Sequence, residues 1–268
     1  MADPGAISVL EAVEWREPAP SGGSKSQVFR LADGRFAVVK FPENAQGERV
    51  LANEFLCCQL AEDLGLPINL ARLVSIDERT LRAPRKANQI PADYSAGIRC
   101  GMIRFEQNQV CQAPEVLAQC GNAADLHAVA LFEQFVCRGD GRQLLMYPPA
   151  APTGGKPKFF AAYDYGFAFG GQPNWSAASL AGLPAVVLPM NPFDNNKEYA
   201  DGTPLSPGIE LLRKLTGAEM GEVLMRMCPP RWGVPPEDVA ALVPALLDRA
   251  ARLVAKFDGK FKPQMEIA

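Results

Sequence analysis

Apolar residues recur along this chain in short dense runs and in longer stretches spaced at helical intervals, and the change from one to the other predicts its elements. Gln27 to Leu31 carries Val28, Phe29 and Leu31, Ala32-Asp33-Gly34-Arg35 reads as a turn, and Phe36-Ala37-Val38-Val39-Lys40-Phe41 resumes the run. This is the pattern of a β-hairpin. Gly47 to Gly65 then places Val50, Leu51, Glu54, Phe55, Cys58 and Ala61 at helical spacing, and Gly65-Leu66-Pro67 ends the helix. Two further strands are expected at Leu70 to Ile76 and Gly97 to Phe105, with a basic loop of Arg79, Arg82, Arg85 and Lys86 between them. The first half reads as an antiparallel sheet with one helix against it.

The second half opens with a helix over Asn122 to Val136, apolar at Leu126, Val129, Ala130, Phe132 and Val136, which breaks at Gly139. Strands follow at Gln143 to Tyr147 and Lys158 to Asp164, joined by a proline- and glycine-rich loop from Pro148 to Pro157. Gly170 to Asn196 is irregular and holds Trp175. From Ser206 a helical pattern runs through Leu211, Leu215, Val223, Leu224, Val239, Leu242, Leu246 and Leu253. The expected class is α+β, with a β-rich part over 1–110 and a mainly helical part over 111–268.

Composition narrows the chemistry. The 268 residues are 48% hydrophobic and 21% charged, which fits a soluble globule and not a disordered or membrane-spanning chain. The net charge of −3 argues against a general grip on nucleic acid or anionic lipid. Seven cysteines, with no C-x-x-C spacing, point to reduced, mostly buried thiols in a cytoplasm. Met1 to Arg16 holds Asp3, Glu11 and Glu14 and lacks a signal-peptide pattern. The single histidine, His127, falls within the expected helix, so a Ser-His-Asp or Cys-His hydrolase would rest on one residue that reads as a satisfied core or helix-surface histidine.

Four residues stand in an order that phosphoryl transfer requires: Lys40 in a hairpin strand, Glu54 on the next helix, Asp140 in the turn after a buried helix, and Asp164 two residues before Gly166. A strand lysine contacts nucleotide phosphates and is held by a helix carboxylate, a turn aspartate takes a hydroxyl proton, and a second aspartate binds Mg²⁺. Taken singly, each is ordinary: a snorkelling lysine, a solvated glutamate, a turn aspartate. The segment Ser21-Gly22-Gly23-Ser24-Lys25-Ser26 just before the hairpin could bring backbone amides to a phosphate, although most such stretches are flexible turns.

Val38-Val39-Lys40-Phe41-Pro42, Gln46 to Glu54 and Gly65-Leu66-Pro67 resemble the first part of the HipA-like kinases, which share the fold of protein kinases and phosphatidylinositol 3/4-kinases. Leu131 to Gln143, containing Arg138-Gly139-Asp140, is similar to that family's catalytic segment, and Tyr163-Asp164-Tyr165-Gly166 to its metal motif. The resemblance spans about residues 20–180. It implies a bilobal kinase-like domain with ATP and Mg²⁺ as cofactors. Lys40 would contact the α/β-phosphates, Glu54 would orient it, Asp140 would position or deprotonate the acceptor, and Asp164 would bind metal with Gln143. Ser24, Lys25 and Ser26 would cover the phosphates, and Ile103, Arg104, Phe105 and Glu106 would line an adenine pocket.

Three functions follow from this set. The first is phosphate transfer to a Ser or Thr hydroxyl of a protein or of the chain itself, with a nucleotide and an unidentified protein as partners. A pseudokinase is the second, motivated by Arg138 and Gln143 standing where the family more often has asparagine; Arg138 could pair with Asp140 or with a phosphate. A small-molecule or lipid-headgroup kinase is the third, and the acidic balance weighs against a membrane substrate. The proline-bearing stretch Asn191 to Pro207, with Phe193 and Tyr199, is a conceivable partner surface but reads first as a surface loop.

Overall fold

The computed structural model describes residues 8–20, 23–105, 108–111, 114–117, 119–148, 158–170, 173–183, 206–226 and 232–257. Five strands close into a barrel in the order β1-β2-β3-β5-β4: β1 Leu10–Pro18, β2 Gln27–Leu31, β3 Phe36–Lys40, β4 Ala71–Ile76 and β5 Gly97–Arg104. The β2–β3 hairpin pairs Gln27 with Val39 and Arg30 with Phe36, as its apolar runs predict.

β1 departs from the expected sheet. It pairs antiparallel with β2 but parallel with β4, matching Leu10 to Val74 and Ala12 to Ile76. Its apolar signal is faint because only Ala12 on this strand is fully buried, while Val9 and Val13 remain exposed. The strand is held by pairing on both sides, which leaves the sheet without open edges. The expected basic loop is instead a helix, α2 Glu78–Lys86. Asp77 caps it by accepting from Thr80 N at 2.6 Å, Glu78 lies in the first turn and Arg85 and Lys86 in the last, an arrangement that complements the helix dipole. Leu81 and Pro84 face inward, Arg79 and Arg82 look outward to solvent, and half-buried Arg85 donates to Tyr94 O.

The barrel has two kinds of wall. Phe29, Leu31, Ala37, Val39, Phe41, Val74, Ile76 and Ile103 fill its interior. Leu73, Cys100 and Met102 point the other way, against the main core that α1 Arg49–Asp63 shares with the rest of the chain. Helix α1 is buried from Val50 to Ala61 on all faces, so it carries little amphipathic contrast.

The remainder holds a three-stranded antiparallel sheet, β6 Gln109–Val110, β7 Gln143–Tyr147 and β8 Phe159–Tyr163. Around it lie α3 Pro114–Leu117, a 3-10 turn Ala123–Asp125, α4 Leu126–Phe135, α5 Ala177–Ala181, α6 Ser206–Lys214, α7 Gly217–Arg226 and α8 Pro236–Phe257. Most of the proline-rich loop from Pro148 and all but the end of Asn191 to Pro207 fall outside the described residues, as does Cys228. Cys57, Cys58, Cys100 and Cys137 are buried free thiols. No helix among the described residues is long and apolar enough to cross a membrane. His127 sits half-buried on α4 with Nδ1 lacking a partner, so the expectation of a satisfied histidine fails at that atom.

Two links position the site. Asn69 N donates to Ala162 O at 2.8 Å and Ala162 N to Pro67 O at 2.9 Å, which fastens β8 beneath the barrel. Fully buried Arg249 on α8 donates to Gln134 O at 2.7 Å and so braces the end of α4.

A Cβ added at Gly101 would stand 2.5 Å from Val74 Cγ2 and 3.4 Å from Ala37 Cβ inside the barrel. Gly101→Ala is therefore expected to lower stability by about 1–3 kcal/mol through overpacking, read as a lower urea midpoint. An unchanged midpoint would show that the barrel interior is looser than this packing.

Candidate active site

Lys40 ends β3, and its side chain leaves the barrel toward α1. Its Nζ donates to Glu54 Oε2 at 2.6 Å and to Asp164 Oδ1 at 2.7 Å. Glu54 is fully buried, Lys40 nearly so, and Asp164 keeps one face open. Burial would push the ammonium's pKa down, but the two carboxylates override it and hold Lys40 above its ordinary value. Burial lifts Glu54, and the charge of Asp164 adds to this against the pull of Lys40. Asp164 goes the other way: burial works against its charge, and Lys40, Arg138 and Gln143 together outweigh it and hold it below the usual carboxylate range.

The segment that carries Asp164 is tied to the same helix. Tyr165 N donates to Glu54 Oε2 at 3.1 Å, and Asn53 Nδ2 to Gly166 O at 2.8 Å. Trp175 Nε1 in turn donates to Asn53 Oδ1 at 2.6 Å. Asp164 has φ +64°, in the left-handed region that aspartate tolerates better than most side chains. A Cβ at Gly166 would lie 3.0 Å from Val50 Cγ1 and 3.5 Å from Lys40 Nζ, so a larger residue there requires Val50 to shift by a few tenths of an ångström.

Asp140 is held by its own segment. Arg138 donates through Nε to Asp140 Oδ1 at 2.9 Å, through Nη1 to Glu133 Oε1 at 3.0 Å and through Nη2 to Gly141 O at 2.7 Å. Its guanidinium also lies over the Tyr165 ring, 4.9 Å from the centroid. Arg142 donates to the other Glu133 oxygen at 2.7 Å. Backbone bonds from Gly139 N to Phe167 O and from Phe169 N to Val136 O join this segment to the one following Asp164. Burial raises Asp140, the pull of Arg138 opposes that, and the Asp164 charge reinforces it.

Above Lys40 and Asp164 opens a cleft of about 170 Å³. Val28 and Val38 line one side, Leu145 the other, with Met102 and Asn69 farther along the wall. Apolar faces opposed in this way suit a flat ring, with charge waiting at one end.

The structure thus brings Lys40, Glu54, Asp164 and Gln143 together, with Asp140 close enough to feel the charge of Asp164. Ser24 and Ser26 are buried cleft residues whose hydroxyls share a 2.8 Å bond. Lys25 is exposed at φ +47°, and its carbonyl accepts from Tyr94 OH at 3.0 Å. Phe105 stacks on Tyr147 at 4.1 Å and borders a neighbouring outer groove, not the cleft. Ile103 points into the barrel interior and so cannot line a nucleotide pocket. Arg104 does reach the cleft and is paired with Glu17 at 2.6 Å, whereas Glu106 lies outside the described residues. Glu133, Asn53 and the apolar trio Val28, Val38 and Leu145 were not singled out by sequence. The apolar spacing of the trio is legible, but its grouping across three strands is not.

No group of three or more His, Cys, Asp or Glu side chains able to hold a metal occurs among the described residues. Asp164 Oδ2 faces Gln143 Nε2 at 3.2 Å, and a half-turn of that amide would present its oxygen instead. One carboxylate and one amide fit Mg²⁺, which draws its other ligands from waters and phosphates.

No protein-family model and no curated protein sequence matches the chain. Among solved structures, the Helicobacter pylori proinflammatory kinase CtkA is similar at a TM-score of 0.59 and 9% identity, over 93% of this chain and 97% of that one. The Golgi casein kinase with Mn/ADP bound is similar at a TM-score of 0.52 and 10% identity, over 95% and 74% of the two chains. HipA of Shewanella oneidensis MR-1, in complex with HipB and operator DNA, is similar at a TM-score of 0.47 and 16% identity, over 88% and 65%. The first two give this chain a kinase fold of mixed α and β content, and the resemblance read from Lys40 through Gly166 holds at that level.

Glu133 is the carboxylate that Arg138 and Arg142 share in the interior. Glu133→Ala is expected to lose about 3–5 kcal/mol in denaturant unfolding, because two buried guanidinium groups lose that partner. A loss below about 1 kcal/mol would mean that the pair is a solvated one.

Proposed function

We propose that the chain is an ATP- and Mg²⁺-dependent phosphotransferase of the HipA-like type, with an N-lobe over 1–110 and a C-lobe over 111–268. The observation that carries this reading is Lys40 shared between Glu54 and Asp164 at the charged end of an apolar slot. In this reading the base lies between Val28, Val38 and Leu145, and the phosphates run toward Lys40. Glu54 holds the ammonium in place, so its charge is already aimed when the phosphates arrive. Mg²⁺ held by Asp164 and Gln143 would neutralise charge on the phosphates.

Asp140 would orient the acceptor hydroxyl and take its proton as the acceptor oxygen bonds the γ-phosphorus and the bond to the bridging oxygen breaks, with ADP as the leaving group. Arg138 fixes the rotamer of that carboxylate, and Glu133 fixes Arg138. A protein Ser or Thr hydroxyl, on a partner or on the chain itself, is the acceptor class the reading favours; one similar structure is a casein kinase. Nucleotide binding without transfer is the second reading, favoured by the Arg138–Asp140 ion pair, which draws proton affinity from the proposed base.

Calorimetric titration of ATP tests the binding half: binding in Mg²⁺ that is lost in EDTA and in Asp164→Ala is expected. Asp140→Asn is expected to keep nucleotide binding and cost phosphate transfer about 10²-fold or more. Transfer at the original rate in Asp140→Asn would remove that residue from the chemistry, and binding with no transfer in the original protein would select the second reading.

Asp140 must be ionised to accept a proton, and burial holds its pKa above the ordinary aspartate range. The acid limb of the rate profile is therefore expected above that range. Arg138→Met removes the influence that lowers this pKa, so the limb is expected to move to higher pH; movement to lower pH would contradict the assignment.

A further inference from the structure

Among the described polar side chains that line the cleft, only Asn69 has a buried atom without a hydrogen-bond partner. Asn69 is 4% exposed and lines the cleft, and its side-chain oxygen has no hydrogen-bond partner. A buried amide oxygen without a partner costs stability comparable to a lost hydrogen bond, so its presence asks for a ligand.

Its place along the cleft follows from strand register. Lys40 pairs with Cys100 and Cys100 with Leu73, so these three stand in one row. Val38, Met102 and Ala71 form the row two residues farther from the charged end. Asn69 lies two residues beyond Ala71, and the pairing persists there through Ile103 N donating to Leu70 O at 2.9 Å. Four residues of extended chain separate it from the Lys40 row by about 13 Å. Asn69 therefore stands past the apolar slot, at the end opposite the phosphate-binding lysine. Its backbone is pinned to Ala162 O at 2.8 Å, so the side chain is presented from a fixed point.

We propose that Asn69 is a specificity-determining residue that reads the base of the bound nucleotide and selects adenine over guanine. This rests on the ATP-binding reading given above and names the residue that selects the base. A carboxamide sets one acceptor beside one donor. Adenine matches it with the N6 amine and N7, the pairing by which Asn and Gln read adenine elsewhere. Guanine offers O6 and N7 on the same edge, both acceptors, so the amide oxygen would face a carbonyl and stay unpaired. A site built to satisfy a polar group rejects the analogue that leaves it unsatisfied.

The experiment is calorimetric titration of ATP and of GTP, each with Mg²⁺, into the original protein, Asn69→Leu, Asn69→Ala and Lys40→Met. The original protein is expected to prefer ATP by about tenfold or more. Asn69→Leu is expected to lose that preference by weakening ATP about tenfold while GTP stays within about twofold. Because the Asn69 oxygen makes no bond within the protein, the substitution should not lower the melting temperature; Asn69→Ala carries the measurement if leucine does not fit. Equal affinities in the original protein, or an undiminished preference in both Asn69 variants, would overturn the proposal and leave the nucleotide site standing. No binding of either nucleotide, or binding untouched by Lys40→Met, would overturn the site reading and this proposal with it.

Discussion

One ammonium shared by two carboxylates organises this molecule. Lys40 comes from the barrel, Glu54 from the helix beside it, and Asp164 from a turn 124 residues further along the chain than Lys40. Removing these charges from water is costly, and the cost is recovered only if all three meet with good geometry. The requirement acts back on the fold. It sets the rotation of α1 about its axis, the depth of β3 and the turn after β8, where Asp164 adopts a left-handed backbone to bring its carboxylate round. Tyr165 N repeats the constraint by donating to the same Glu54 carboxylate, and the neutral bond from Asn53 to Gly166 O holds the turn where the charges do not reach.

A second buried network hangs from the first. Glu133 binds Arg138 and Arg142, Arg138 binds Asp140, and the Arg138 guanidinium rests on the ring of Tyr165, the residue after Asp164. The turn that carries Asp140 and the turn that carries Asp164 are thus parts of one body, stitched by backbone bonds between 136–139 and 167–170. Arg249 extends the support outward by holding the carbonyl of Gln134 from α8. A long terminal helix with no residue in the cleft thereby takes part in placing Asp140.

The parts legible in the sequence are those whose signal is local. The β2–β3 hairpin, α1, α4 and the β7 and β8 strands each carry their own apolar rhythm, and the order of Lys40, Glu54 and Asp164 on such elements matches a known chemistry. The parts that were not legible depend on partners distant in the chain. β1 buries only Ala12 fully, and parallel pairing to β4 leaves no trace in either segment alone. α2 hides because its arginines dominate the composition while Leu81 and Pro84 do the packing. Ile103 reads as a pocket residue from its place just before the connection after Phe105, yet strand alternation turns it inward and leaves Met102 and Arg104 to face the cleft. Asn69 gave no signal, since an asparagine ahead of a strand is ordinary unless its side chain is seen unpaired.

The charge count of the site bears on how it would be used. Two carboxylates against one ammonium leave an excess negative charge, and Asp164, the most exposed of the three, keeps its proton affinity low while burial raises that of Glu54. The excess therefore collects on the face that opens to the cleft. On the reading proposed above, bare phosphates would be repelled there, whereas phosphates arriving with a divalent cation would not, because the cation would meet Asp164 while the phosphate oxygens would meet Lys40. On that reading, charge balance would couple the two ligands: each would make the site more favourable for the other, and neither would satisfy it alone.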